Sequence, residues 1–219
     1  MTTEEIVTEL QGLAEPKYRD FAASLIPGEE DLLGVRLPVL RKLARRVARQ
    51  ENVADIFREL GGYSQMEMVM LRGMLPGYAP QATLAERQDA LRDFIPSIRN
   101  WSICDSCCAT YSFARDARAE VLDFLTPYLR STREFEARFA VVMLLNHYLN
   151  DINSVPVVAE LLPQVCGRGY YADMAVAWCA CELILRHPEY EAGLQAALSP
   201  DRKNLTKRKL RESRRSKDC

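Results

Sequence analysis

The chain has 219 residues, 48% of them apolar, and a net charge of −1 at neutral pH. This length and composition predict a soluble globular protein, because burial of so much apolar surface can offset the entropy lost on folding. No segment approaches the roughly 18 consecutive apolar residues of a membrane span, which excludes a chain that crosses a membrane.

The first residues are acidic, with Glu4 and Glu5 near the start, and they lack the basic and then apolar layout of a secretory signal. The seven cysteines are an odd number and lie mostly in apolar segments, as expected for buried thiols in a reducing compartment. Both features predict a cytoplasmic protein.

Apolar residues recur with helical spacing along nearly the whole chain, and no segment alternates with period two. Proline and glycine interrupt this pattern at short intervals and leave segments of ordinary helix length. We therefore predict helices near residues 3–14, 16–25, 38–50, 53–60, 64–78, 83–97, 101–114, 116–130, 132–149, 153–165, 170–186, 189–198 and 204–214.

Many short helices with brief connections are typical of either a globular bundle or an α-solenoid. The segments pair at intervals of roughly 30–40 residues, which favours an all-α superhelix of antiparallel helix pairs. Because no long linker interrupts the pattern, we predict one domain over residues 1–200. Residues 201–219 are expected to form a basic, flexible C-terminal helix or tail.

The third predicted helix, residues 38–50, is apolar on one face and basic on another. Pro38 suits the first position of a helix. The basic residues of the second face are Arg41, Lys42, Arg45, Arg46 and Arg49. This segment and residues 202–217 concentrate positive charge on an otherwise acidic chain. One interpretation is that these basic segments bind a polyanion. The other is that they are only a solvated helix face and a solvated tail.

The predicted helix 101–114 contains a single charged side chain, Asp105, after the good N-cap residue Asn100. Trp101 lies four residues before Asp105, so both share one helix face. A lone carboxylate on an apolar helix is costly to bury, so we expect it either to have a bonding partner or to serve in a functional site. One interpretation is a functional carboxylate; the other is that Asp105 bonds a neighbouring helix and Trp101 packs.

Two later helices also contain isolated residues. Arg138 is the only charged residue of the apolar segment 137–150, and we expect it to be ordered, either neutralising Asp105 or contacting a phosphate. Trp178 lies in a helix that is apolar on most sides, which favours core packing.

A metal or redox site is an alternative use of the cysteines at positions 104, 107, 108, 179 and 181. The sequence lacks the tight pairs typical of zinc knuckles, so we predict no metal and no cofactor.

Four sequence landmarks resemble the AlkD-like bacterial DNA alkylation repair proteins, a family of HEAT-like repeat DNA glycosylases. They are the segment Leu32-Leu33-Gly34-Val35-Arg36-x-Pro38-x-x-Arg41, Trp101-x-x-x-Asp105, Arg138 in its apolar helix, and Ala-x-x-Trp ending at Trp178. The resemblance extends over essentially the whole chain, and the spacing of the landmarks also matches.

The resemblance implies a HEAT-like solenoid that binds double-stranded DNA in a concave basic face, as a monomer and without a membrane partner. It implies hydrolysis of the N-glycosidic bond of N3- and N7-alkylated purines, without a base-flipping pocket. By position, Asp105 would be the catalytic carboxylate, and Trp101 and Trp178 would grip the deoxyribose. Arg138 would contact the DNA backbone, as would Arg41, Lys42, Arg45 and Arg49 on the basic helix.

Three positions depart from the family pattern. Phe21 aligns with a lesion-side tyrosine, after which four extra residues occur around 28–31. Ser102 replaces an acid, and Cys181 stands where better-known members have an arginine. The alternative is therefore a non-enzymatic DNA- or protein-binding scaffold that has lost excision activity.

Overall fold

The computed structural model describes residues 1–213, and its helices follow the predicted order. Among these residues there are thirteen α-helices and no strand, which confirms the all-α prediction and is consistent with an α-α superhelical repeat fold. None of the described helices is long and apolar enough to cross a membrane.

The chain divides into two compact units, Met1–Phe113 and Ala114–Cys219, the second described as far as Ser213. The helices of the first unit are α1 (Thr3–Gly12), α2 (Pro16–Leu25), α3 (Leu37–Val47), α4 (Val53–Leu60), α5 (Met66–Tyr78), α6 (Leu84–Phe94) and α7 (Trp101–Cys108). Those of the second are α8 (Arg118–Leu129), α9 (Glu134–His147), α10 (Val155–Leu161), α11 (Tyr170–Arg186), α12 (Glu191–Ala197) and α13 (Pro200–Glu212). A single domain over residues 1–200 stays a prediction.

Helix ends differ from the predicted ones where local chemistry competes with the helical pattern. Helix α7 ends at Cys108, six residues early, because the backbone N–H and the hydroxyl of Thr110 both donate to the carbonyl of Cys107, at 2.9 and 2.7 Å. Helices α6 and α10 pass into short 3-10 turns at Pro96 and Pro163, since proline lacks the N–H that an α-helix needs.

Helix α5 is the centre of the first unit. All its residues from Met66 to Pro76 are buried, and it packs against α3, α4, α6 and α7. At Gly73 an added Cβ would collide with the ring of Phe94 and would lie 2.7 Å from Sγ of Cys107. The glycine therefore permits the close approach of α6 and α7.

A buried carboxylate in α5 holds the loop that leads into α3. Glu67 is 1% exposed, and its Oε1 accepts from the N–H groups of Gly34 and Val35 at 2.7 and 3.1 Å. Its Oε2 accepts from the N–H of Leu33 at 2.8 Å. Gly34 has a φ of +88°, and a Cβ there would lie 2.6 Å from that of Arg19. Three N–H donors compensate the burial of the charge and fix the loop.

Helix α11 is the centre of the second unit and packs against α9, α10 and α13. Arg202 of α13 is 8% exposed and donates to Asp173 Oδ1 at 2.7 Å. It also donates to the carbonyls of Val165 and Gly167 at 2.7 and 2.9 Å. The predicted C-terminal helix is therefore present as far as Glu212, and buried hydrogen bonds hold it against the rest of the unit. Residues 214–219 lie outside the described residues.

Replacing Glu67 with glutamine is expected to lower the free energy of unfolding by about 2–4 kcal/mol, because the amide NH₂ would face a backbone N–H donor. Urea denaturation checks this, with the exposed Glu4→Gln variant as the control. Equal stability of the two variants would contradict the assigned role of the buried carboxylate.

Candidate functional site

Helix α7 begins at a network of polar side chains. As predicted, Asn100 is its N-cap: Oδ1 accepts from the N–H of Ile103 at 2.9 Å. Nδ2 of Asn100 donates to Glu29 Oε2 at 2.6 Å, and Glu29 is 8% exposed. The other oxygen of Glu29 accepts from Arg99 Nη2 at 2.9 Å, and Arg99 also donates to the carbonyl of Ser64 at 2.8 Å. This network fixes the start of α7.

The two sides of α7 have different environments. Ile103, Cys104, Cys107 and Cys108 are buried, whereas Trp101, Ser102, Asp105 and Ser106 are half-exposed. At 100° per residue, the half-exposed residues span an arc of about 140°, with Asp105 between Trp101 and Ser102. Asp105 therefore shares a solvent-accessible face with Trp101, and its charge is not fully removed from water.

Trp101 and Phe21 line one cavity of about 220 Å³ in the first unit. Trp101 is oriented by its Nε1–H, which donates to the carbonyl of Leu25 at 3.3 Å. Phe21 is 57% exposed on α2, and its ring centroid lies 6.2 Å from that of Tyr18. The structure thus brings Phe21 to the same cavity as Trp101, and its role beside a lesion stays a prediction.

Sequence reasoning missed several contributors to this region. Tyr18 lines the cavity one turn before Phe21, and Arg36 lies 4.8 Å above its ring. Ser106 lines the cavity, and Glu29, from the extra residues 28–31, anchors α7. The i, i+3 spacing of Tyr18 and Phe21 could have indicated Tyr18. No local pattern could have indicated Glu29, because its partner Asn100 lies 71 residues later in the sequence.

Helix α3 ends at Val47, three residues earlier than predicted, so it carries Arg41, Lys42, Arg45 and Arg46, and Arg49 follows just after its end. Lys42, Arg45 and Arg49 are exposed, and within residues 1–213 neither Lys42 nor Arg49 forms an ion pair. The Arg45 guanidinium lies 4.7 Å above the ring of Tyr78. Burial raises the pKa of the Cys107 thiol on α7 well above its usual range, and the nearby charge of Arg41 opposes this shift.

In the second unit, Arg138 is buried, with 6% of its surface exposed, and its Nη1 donates to the carbonyl of Tyr171 at 2.8 Å. Glu134, one turn earlier on α9, accepts from the N–H of Tyr171 at 2.6 Å. Arg138 is ordered, as predicted, and it links α9 to the first turn of α11. A phosphate contact by this residue stays a prediction.

Trp178 is 36% exposed on α11, so the expectation that it packs in the core is wrong. Helix α11 is covered on the side of Ala177, Cys179 and Cys181 but not on that of Trp178. Burial raises the pKa of Cys181 to about 11, with Glu182 adding to the shift and Lys209 of α13 opposing it. Cys181, which the resemblance aligns with an arginine of better-known family members, is 3% exposed on this helix.

The cysteines named in the metal alternative are buried thiols. Burial raises the pKa of Cys107, Cys108 and Cys179 above the usual range, so their thiol forms dominate at neutral pH. Among residues 1–213, no group of three or more His, Cys, Asp or Glu residues is placed to hold a metal ion.

The residues predicted for the site thus fall into two sets. Trp101 and Asp105 share α7, with Phe21 at the adjoining cavity. Arg138 and Trp178 belong to the second unit, on α9 and α11.

A family model described as "DNA alkylation repair enzyme" matches residues 6–163, well over half of the chain. Neither the curated proteins nor the solved structures include a significant match.

Two substitutions at position 100 separate the roles of Asn100. Asn100→Ser keeps a capping oxygen but removes the donor to Glu29. It is expected to lower the free energy of unfolding by about 1–3 kcal/mol. Asn100→Ala also removes the cap and is expected to cost about 1 kcal/mol more. Urea denaturation in a Trp178→Phe background reports on the first unit alone, because Trp101 is then the only tryptophan. A serine variant as stable as its parent would show that the bond to Glu29 is dispensable.

Proposed function

The chain belongs to the DNA alkylation repair enzyme family, and from this premise we propose that it is a DNA glycosylase. Its proposed reaction is hydrolysis of the N-glycosidic bond of N3- and N7-alkylated purines in double-stranded DNA. The residues proposed to act on the lesion are Asp105, Trp101 and Trp178.

The observation that supports this proposal best is the placement of Trp101 and Asp105 on one half-exposed face of α7. The Asn100–Glu29–Arg99 network holds the start of that helix, so an approaching sugar would meet a carboxylate already in position. A fixed charge is effective because it needs little reorganisation when charge develops in the transition state.

The chemistry suits these residue types. Alkylation at N3 or N7 makes the purine cationic, so the base leaves with the electron pair of the C1′–N bond as a neutral molecule. The positive charge then develops on the sugar, where the Asp105 carboxylate stabilises it. Water adds to C1′ and loses a proton to Asp105 or to solvent. The negative face of the Trp101 ring favours the same developing cation.

The proposed DNA contacts lie on α3, in the turn just after it, and on α9. Arg41, Lys42, Arg45 and Arg49 are assigned to backbone phosphates, an assignment supported by the exposed and unpaired state of Lys42 and Arg49 within residues 1–213. Arg138 is proposed as a further phosphate contact beside Tyr171. The reaction needs no cofactor.

Asp105→Asn is expected to slow release of N3-methyladenine and N7-methylguanine from methylated duplex DNA by about 100-fold or more, since it removes the stabilising charge. Its DNA affinity is expected to change by less than about threefold. Single-turnover base release and equilibrium binding measure the two effects.

Asp116→Asn is the matched control, because Asp116 is exposed and lies outside the proposed site. Equal base release by wild type and Asp105→Asn would remove Asp105 from catalysis. DNA binding by a wild-type chain that releases no base would favour the non-enzymatic scaffold.

Replacing Lys42 and Arg49 together with glutamine is expected to reduce the salt dependence of DNA binding. For each phosphate that is no longer neutralised, the slope of log K against log salt falls in magnitude by about 0.9. The control is Arg58→Gln on α4, which is exposed and paired with Asp55. An unchanged slope in the double variant would exclude these two basic residues from the DNA interface.

A further inference from the structure

We propose that helix α13 carries a further DNA-binding surface, which contacts the phosphate backbone of undamaged duplex DNA. This surface, the α13 stripe, consists of Lys203, Lys207 and Arg211. The inference goes beyond the proposed excision of alkylated purines, because it concerns DNA that carries no lesion. Helix α13 also lies outside residues 6–163, the segment that the family model matches.

The residues of the α13 stripe follow one another along one side of the helix. Lys203, Lys207 and Arg211 are spaced four residues apart, so at 100° per residue they fall within an arc of about 80°. With a rise of 1.5 Å per residue, they extend over about 12 Å of the helix axis. A duplex segment of the same length carries about seven phosphates, which is more than enough partners for three basic side chains.

The charges of the α13 stripe are not neutralised by the described part of the protein. Lys207 and Arg211 are exposed, and none of the three residues of the stripe forms an ion pair within residues 1–213. By contrast, Nε of the neighbouring Arg208 lies 3.5 Å from the carboxylate of Glu212. The stripe can therefore neutralise external phosphates without giving up an ion pair of its own.

Buried contacts on the other side of α13 hold the stripe in place. The Arg202 guanidinium is bonded to Asp173 of α11 and to two loop carbonyls. Thr206 has no exposed surface, and its hydroxyl donates to the carbonyl of Arg202 at 2.8 Å. Because the backbone of α13 is already ordered, binding of phosphates requires the ordering of side chains only. It therefore costs less conformational entropy than binding by a disordered basic segment would.

The chemistry of the exposed side favours DNA over a protein or a membrane. Leu205 and Leu210 are half-buried, and none of the large apolar side chains of residues 200–212 is exposed. A protein interface is usually built around a buried apolar or aromatic anchor, and a helix that lies on a membrane inserts its apolar side. The α13 stripe instead offers positive charge alone, and sequence-independent contacts with DNA phosphates need nothing more.

Salt-dependent binding of an undamaged duplex of about 20 base pairs tests the α13 stripe in the full chain. Lys207→Gln is expected to lower the magnitude of the slope of log K against log salt by about 0.9, because one phosphate is no longer neutralised. The triple variant Lys203→Gln, Lys207→Gln, Arg211→Gln is expected to lower it by about 2–3. Fluorescence anisotropy of the labelled duplex measures the slopes, and helical circular dichroism checks that each variant folds.

Lys209→Gln is the matched control. It removes one charge from the same helix, two residues after Lys207, but Lys209 is half-buried and its Nζ lies 4.0 Å from the carboxylate of Glu212. Its slope is expected to change by less than half as much as that of Lys207→Gln. Equal slopes for the two single variants would show that only net charge matters, and would overturn the proposal.

Vesicles that contain phosphatidylserine provide a second comparison. A triple variant that binds the duplex with the slope of the wild type, but no longer binds these vesicles, would assign the α13 stripe to a membrane surface and overturn the proposal. Loss of slope on the duplex, with vesicle binding weak in both proteins, is the result expected of a DNA-binding surface.

The outcomes separate this proposal from the glycosylase proposal. If wild type releases alkylated bases, but the triple variant binds undamaged duplex with the slope of the wild type, the α13 proposal is overturned and the glycosylase stands. If wild type releases no base, but the triple variant loses the expected slope, the glycosylase proposal fails and the α13 stripe remains a DNA-binding surface.

Discussion

Three backbone N–H groups of the loop before α3 converge on the buried carboxylate of Glu67. The loop can reach it only because Gly34 adopts a positive φ and lies tightly against α2. From there the chain enters α3, whose apolar side packs on α5 and whose bases face outward. The same carboxylate lines the cavity beside Trp101. The basic helix, the central helix and the cavity are thus positioned by one buried carboxylate and the three backbone hydrogen bonds that it accepts.

Local periodicity was enough to predict the helices, because each helix buries its own apolar stripe. The isolated charged residues of apolar segments were predicted less completely. It anticipated an ordered Arg138, but Glu67, an equally isolated acid in an apolar segment, was overlooked. Asp105 proved half-exposed and Trp178 exposed, because composition does not reveal which side of an apolar helix its neighbours leave uncovered. The anchoring of α7 by Glu29 depends on a distant contact that no local pattern contains.

The proposed chemistry depends on a helix that does not move. Beyond its N-terminal network, α7 is held along its buried side by small cysteine side chains, and Sγ of Cys107 lies 3.5 Å from the carbonyl of Met70. Just after the helix, the hydroxyl of Tyr111 donates to the carbonyl of Gly73 at 2.6 Å. A carboxylate held in position in this way suits the proposed reaction, because stabilising the sugar cation then needs little reorganisation.

The location of these contacts has a consequence for the order in which the protein acquires its structure during synthesis. All the partners described for Glu67 and Glu29 lie within residues 1–113, so the first unit can close as soon as that segment has left the ribosome. Helix α11 must instead wait for Arg202, 29 residues after Asp173, before the hydrogen bonds that join it to α13 can form. The nascent chain therefore completes the unit carrying Asp105 while the surface of α11 that α13 will cover is still open.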